Sequence, residues 1–228
     1  FAKNNFNVTG IDIDLRKVKM LNKSKSYIKH IKNNFLEKIQ KKFKATSNFK
    51  IINLLDIIII CLPTPLNNLK NPDLSYIQNT LEKIKPFLKK GQIIILESST
   101  YPGSTKKMVQ PIINQKKFIL GKNFFLGYSP EREDPSNKKY SISNIPKLLS
   151  GTTPECKELT KTIYSKIVKK TVSMSCIEAA EFTKIFENTF RSVNIALVNE
   201  LKLLSTKTKL NINEIINAAS TKPFGFKA

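Results

Sequence analysis

The sequence has little arginine, little cysteine and no glycine-rich phosphate turn, and each shortage excludes something. Of 39 basic residues 36 are lysine, and only Arg16, Arg132 and Arg191 are arginine. Phosphate- and base-reading surfaces lean on the planar guanidinium fork. The formal charge of +22 is therefore read as a chain-wide lysine bias, spread among abundant Asn, Ile and Phe, with no nucleic-acid partner expected. The three cysteines, Cys61, Cys156 and Cys176, have neither metal-ligand nor disulfide-framework spacing, which points to a reducing, cytoplasmic setting and no metal. The apolar run Ile57–Leu62 is far too short to span a bilayer, so no membrane partner is expected. The first six residues, Phe1 to Phe6, form neither a start methionine nor a signal peptide.

What is present is a globular composition, 40% apolar and 25% charged over 228 residues, enough for a large α/β domain and part of a second. Val8–Asp14 is a short apolar run ending in acids, and a helix starts over Arg16–Leu21. Residues 23–44 read as lysine-rich helix and loop. Asp56–Leu62 and Gln92–Leu96 are uninterrupted β-branched runs of the kind that parallel sheets bury on both faces. Helices follow them, from Pro72-Asp73 to about Leu88 and from about Thr105 to Val109. Phe124–Tyr128, Lys147–Ser150, a helix over Pro154–Ile167 and a strand near Lys170–Val172 continue the alternation, which implies a doubly wound parallel sheet of Rossmann-like class. From about Ser175, Phe182, Phe186, Val193, Leu197, Leu201 and Leu204 recur at helical steps. They predict one helix of roughly thirty residues, with a shorter one over Asn213–Ala219. The expected division is residues 1–173 and an all-α element from 174 to 228.

Ligands of an open parallel sheet bind beyond the carboxyl ends of its strands. Asp12 and Asp14 end the first run, Thr64 the second, and Ser98-Ser99-Thr100 the third. Asp12 suits a dinucleotide's ribose hydroxyls and Lys17 its pyrophosphate, although both acids also read as turn residues. The preceding G-x-G-x-x-G is absent. Ser104 stands where a helix amino terminus favours negative charge, as an anion-side donor or as a plain cap. Glu131 lies in an acidic loop bounded by Pro130 and Pro135, either a general base toward water or a solvated acid. Glu181, Lys184, Asn188 and Arg191 share one face of the long helix, roughly opposite Phe182 and Phe186. Lys184 and Asn188 suit an oxyanion site; a solvated face is the alternative. His30 reads as surface, and no cysteine has an activating partner.

Together these segments resemble the UDP-glucose/GDP-mannose dehydrogenase family of nucleotide-sugar 6-dehydrogenases. The matching stretches are GIDID..KV (10–18), IIICLPTPL (58–66), ESSTYPGST (97–105), YSPEREDPSN (128–137) and AAEFTKIFENTFRSVNIALVNEL (179–201), in family order. SPERED and NTFRSVNIALVNEL look closest to the branch oxidising UDP-N-acetylhexosamines, UDP-N-acetylglucosamine especially. The resemblance implies NAD as cofactor and a two-step oxidation of a UDP-sugar's C6 alcohol, through a cysteine thiohemiacetal and thioester, to the carboxylate of a polysaccharide precursor. It implies that Asp12 and Lys17 bind the adenosine ribose and pyrophosphate, that Thr64 and Thr100 line the cofactor, and that Thr100 helps place the catalytic water. Glu131 would assist thioester hydrolysis. Lys184 and Asn188 would stabilise the C6 oxyanion, Lys184 being also a candidate proton acceptor. The long helix would make a homodimer. The family's cysteine, in a GGxC-type segment, is expected after Phe224-Gly225-Phe226, and its UDP-binding third domain later still. The 228 residues are thus expected to be a fragment, inactive alone, with a noncatalytic nucleotide-binding or dimerisation remnant as the alternative.

Overall fold

A computed structural model describes residues 1–133 and 143–225. The elements are β1 (Val8–Ile11), α1 (Leu15–Asn22), α2 (Asn33–Ile39), β2 (Phe43–Thr46), β3 (Ile57–Ile60), α3 (Ser75–Ile84), β4 (Ile93–Leu96) and α4 (Ser104–Lys116). They continue as β5 (Phe125–Tyr128), β6 (Lys147–Gly151), α5 (Pro154–Tyr164), β7 (Thr171–Ser173), α6 (Ile177–Lys207) and α7 (Ile212–Ser220). The chain divides into two compact units, Phe1–Lys184 and Ile185–Ala228.

In the first unit β1 pairs with β2 in parallel, and β3-β4-β5-β6-β7 form a second sheet in chain order. The β-branched runs become strands because both of their faces are covered. Ile58, Ile60, Ile94, Leu96 and Leu126 point into one core with Ile77 and Leu81 of α3 and Ile112 of α4. Ile93, Ile95 and Leu149 point the other way, against Ile163 and Tyr164 of α5. This period-two division makes the unit Rossmann-like α/β, as expected. One pairing departs from an all-parallel sheet: β6 runs antiparallel to β5, with Gly127 opposite Gly151.

Local chemistry sets the helix starts. The Asp14 carboxylate accepts from Arg16 N at 2.9 Å to cap α1, and Thr153 Oγ1 accepts from Cys156 N at 3.2 Å to cap α5 before Pro154. α4 starts at Gly103, whose φ of 85° suits glycine, and runs through Pro111 to Lys116, beyond the expected end at Val109. β2 was not expected from its lysine-rich surroundings.

In the second unit the rest of α6 and α7 carry apolar residues on open surface, with Phe186, Val193, Leu197 and Leu204 all more than half exposed. Among the described residues no helix is long and apolar enough to cross a membrane, and no cluster of three or more His, Cys, Asp or Glu could hold a metal ion.

Candidate active site

Four strands deliver polar residues to their carboxyl ends. Asp12 follows β1, and its Oδ1 accepts from Asp14 N at 2.8 Å. Its Oδ2 faces Lys17 Nζ at 3.6 Å, and that ammonium also lies 5.4 Å from the centre of the Tyr27 ring. Lys17 therefore neutralises the carboxylate expected to serve the same ligand. Arg16 faces Asp14 instead, at 3.4 Å. Thr64 lies half-buried past the end of β3. Ser98, after β4, accepts from Leu62 N at 2.8 Å and ties the chain leaving β4 to the chain leaving β3.

The amino terminus of α4 is filled by the protein itself. Glu181 of α6 is fully buried and accepts from Gly103 N at 2.6 Å, Thr105 N at 2.9 Å and Thr105 Oγ1 at 2.6 Å. Ser104 Oγ at 3.0 Å and Thr100 Oγ1 at 3.2 Å complete the set. A helix amino terminus favours an anion, and here the anion is a side chain. Ser104 is thus neither the helix cap, a position held by Gly103, nor a donor to an outside anion. The buried face of α6 at this level is the one with Glu181, while Phe182 is 57% exposed.

A second cluster surrounds Glu131, just beyond β5. Its Oε1 accepts from Arg132 N and Glu133 N, each at 2.7 Å, and its Oε2 accepts from Lys147 Nζ at 2.9 Å. Lys147, at the start of β6 and only 5% exposed, reaches Glu97 Oε1 at 3.2 Å on its other side. Glu97 also accepts from the Tyr164 hydroxyl and, at 3.4 Å, from Cys61 Sγ. Burial opposes ionisation of Glu131, but the Lys147 charge and the three donors outweigh it and hold the carboxyl below its usual range. Desolvation and the facing Glu97 carboxylate push the Cys61 thiol up, so it stays a thiol rather than a nucleophilic thiolate. Cys156 is buried, with its sulfur 3.4 Å from Leu126 N.

Lys184 links α6 to this loop, donating from Nζ to the Glu131 carbonyl at 2.5 Å. Asn188, one turn further along the helix, accepts from Arg191 at 2.6 Å. Lys184 and Glu131 are therefore joined by a hydrogen bond beyond β5, Thr100 beyond β4 is bonded to Glu181 instead, and Asp12, Lys17 and Thr64 lie at the ends of β1 and β3. Asp134 and Pro135 of the acidic loop lie outside the described residues. The sequence reading missed Glu97, Lys147 and Tyr164. A lysine opening the apolar run Lys147-Leu148-Leu149 was the available signal, because its position in the strand is buried.

Comparison with known proteins finds two models of one family along the chain. Residues 1–168 match the NAD binding domain of the UDP-glucose/GDP-mannose dehydrogenase family, and residues 178–228 match that family's central domain. Protein CapL of Staphylococcus aureus is 35% identical over 221 residues, covering 96% of this chain and 52% of the relative. UDP-N-acetyl-D-glucosamine 6-dehydrogenase of Pseudomonas aeruginosa is 38% identical over 179 residues, covering 78% of this chain and 42% of the relative. Among solved structures, a UDP-D-ManNAc dehydrogenase from Pyrococcus horikoshii superposes with a TM-score of 0.89 at 30% identity, covering 98% of this chain and 54% of that one. The chain spans about half the length of the curated relatives it matches.

Proposed function

The chain belongs to the UDP-glucose/GDP-mannose dehydrogenase family, and on that premise we propose that it serves an NAD-dependent UDP-sugar 6-dehydrogenase acting on a UDP-N-acetylhexosamine. In this reading residues 1–173 hold NAD and residues 174–228 begin the helical middle, where the exposed apolar residues of α6 support a homodimer.

The residues at the strand ends fit the cofactor. Asp12 offers carboxylate lone pairs to ribose hydroxyls from a side chain 31% exposed, and both its oxygens keep acceptor capacity beyond their present partners. Lys17 beside it would turn to the pyrophosphate, with the half-buried Thr64 along the cofactor's path, while the buried Thr100 hydroxyl is committed to Glu181. NAD, when bound, supplies the acceptor for hydride leaving C6.

The observation that carries the reading is the Lys184 ammonium at 2.5 Å from the Glu131 carbonyl. It ties an amine from α6 to the main chain of the residue whose carboxylate the reading uses, and so supports a pairing of Lys184 with Glu131 in the chemistry. Lys184 stabilises negative charge on the C6 oxygen, with Asn188 as a second donor by the resemblance. Glu131 orients the water that hydrolyses a thioester: the carbon–oxygen bond forms, the carbon–sulfur bond breaks, and the water's proton ends on sulfur. The resemblance places the cysteine in a GGxC segment after residue 226.

The test is to count NADH per sugar for the complete gene product with UDP-N-acetylglucosamine, UDP-N-acetylmannosamine and UDP-glucose in parallel. Two NADH per N-acetylated sugar are expected; one or none with every sugar overturns the reading. Residues 1–228 alone are expected to leave the sugar unoxidised.

A further inference from the structure

The Lys147 side chain is an almost fully buried ammonium between two carboxylates that come from different strand ends. An ammonium so placed is costly unless its charge and donors are matched. Here Glu97 Oε1 at 3.2 Å and Glu131 Oε2 at 2.9 Å match them. The two carboxylates are not equivalent. Glu97 is the enclosed one, its side chain 13% exposed, and it is held by the Tyr164 hydroxyl and Cys61 Sγ as well as by Lys147. Glu131 is the open one, its side chain 43% exposed, at the mouth of β5. The Tyr164 ring lies 5.4 Å from Lys147 Nζ and walls the ammonium on another side.

We propose that Lys147 is a positioning residue for Glu131: anchored from behind by Glu97, it fixes the Glu131 carboxylate in the orientation that faces the reacting thioester. The inference rests on the hydrolytic role given to Glu131 above. The loop after β5 has no regular structure of its own over Glu131–Glu133, so the carboxylate's direction must be set by what grips it. Two grips lie within the loop, the Arg132 and Glu133 amides on Oε1. Lys147 is the grip that ties Oε2 to the rigid sheet. Lys184, on α6, holds the same residue by its carbonyl, and Arg132 holds the loop by donating to Pro146 O at 2.8 Å. Among the described residues, the charged and titratable groups around the pair include Glu97 after β4, Cys61 after β3, Tyr164 on α5, Lys184 on α6, Arg132 and Glu133 in the loop, and the Phe1 amino group on the side of Glu97.

The arrangement makes an unusual demand on two substitutions, because they must act with opposite signs. Lys147→Met removes the positive neighbour and frees Glu131 to titrate higher. Glu97→Gln removes a competing carboxylate, leaves Lys147 to Glu131 alone, and drives Glu131 lower. The experiment is a carbon-13 carboxyl titration of the full 228-residue chain labelled in glutamate, with the Glu131 signal assigned by its loss in Glu131→Gln. The midpoint is expected to rise by about one to two pH units in Lys147→Met, to fall in Glu97→Gln and to stay near the parent value in Lys147→Arg. A midpoint that does not move in folded Lys147→Met, or that moves the same way in both variants, overturns the proposal. If Lys147→Met does not fold, Glu97→Gln decides it by a fall in the midpoint and Lys147→Arg by a midpoint that stays put; a rise in the first or a shift of about a unit or more in the second overturns the proposal. The titration needs no turnover. Full turnover by Glu131→Gln in the complete gene product would remove the hydrolytic reading while leaving the measured coupling of Lys147 to Glu131 intact.

Discussion

Thr105 donates to Glu181 twice, from its amide at 2.9 Å and from its hydroxyl at 2.6 Å. The amino terminus of α4 is thereby closed by a carboxylate from α6, and the start of α6 is pinned by a buried polar lock as well as by apolar packing. Lys184 lies one turn beyond that lock, so the rotation of α6 that presents its amine to Glu131 is fixed by Glu181.

This predicts that Glu181 carries stability out of proportion to one side chain. Glu181→Ala strands five donors, of which the hydroxyls of Thr100, Ser104 and Thr105 are almost fully buried. Leaving buried donors unpaired costs about 1–3 kcal/mol each where no water can replace the partner. Urea denaturation of Glu181→Ala is expected to show a loss of about 3 kcal/mol or more, and of Glu181→Gln a smaller one. A loss under about 0.5 kcal/mol, the range of an ordinary surface substitution, would show that the lock contributes nothing.

How much of this could be read beforehand differs from element to element. Ile57–Ile60 and Ile93–Leu96 were legible because an uninterrupted β-branched run has few alternatives to a strand buried on both faces. β2 was not, because Phe43-Lys44-Ala45-Thr46 has no apolar run and becomes a strand through its neighbours. Val8–Ile11 pairs alongside it, and the Asn22 side chain grips both backbone groups of Ala45, at 2.8 and 2.9 Å. On α6 the period showed a helix but not which side of it is buried. Helical spacing separates Glu181 from Phe182, but only the position of α4's amino terminus decides that the carboxylate turns inward there. The candidate residues stand out in the sequence as motifs. The links between them do not, since Lys147 and Glu97 are 50 positions apart and meet only because their strands share a sheet.

Asp12 gives a prediction about the cofactor. Its carboxylate is the acceptor at the end of β1, and a charged acceptor contributes about 1.5–3 kcal/mol through its hydrogen bonds. Asp12→Ala is expected to raise the NAD dissociation constant by about 10- to 100-fold, measured by calorimetry on the complete gene product. NADP, whose 2′-phosphate the carboxylate repels, is expected to gain relative to NAD in the same variant, with Lys17 released from its 3.6 Å pairing. An unchanged preference between the two cofactors would move the ribose site away from Asp12.

Gly151 ends β6 at the point where α5 turns back over the sheet, and its requirement is steric rather than conformational. A Cβ added there would run into the backbone of α5, at Lys157 N and Cys156 C, and neither can move as the tip of a flexible side chain can. The position opposite, Gly127, meets Thr160 Oγ1 of the same helix, an atom fixed by its 2.7 Å bond to the Cys156 carbonyl. Two glycines facing each other across the antiparallel β5–β6 pair therefore let α5 lie close against the sheet. Overpacking at such a contact costs about 1–3 kcal/mol, occasionally more. Gly151→Ala is expected at or above the top of that range, because backbone must shift against backbone. Since Tyr164 of α5 and Lys147 of β6 both contact Glu97, displacing α5 should also disturb the Glu97 cluster. Thermal unfolding together with the Glu131 titration midpoint tests both effects in one variant. A Gly151→Ala protein as stable as the parent would mean that α5 does not approach β6 this closely.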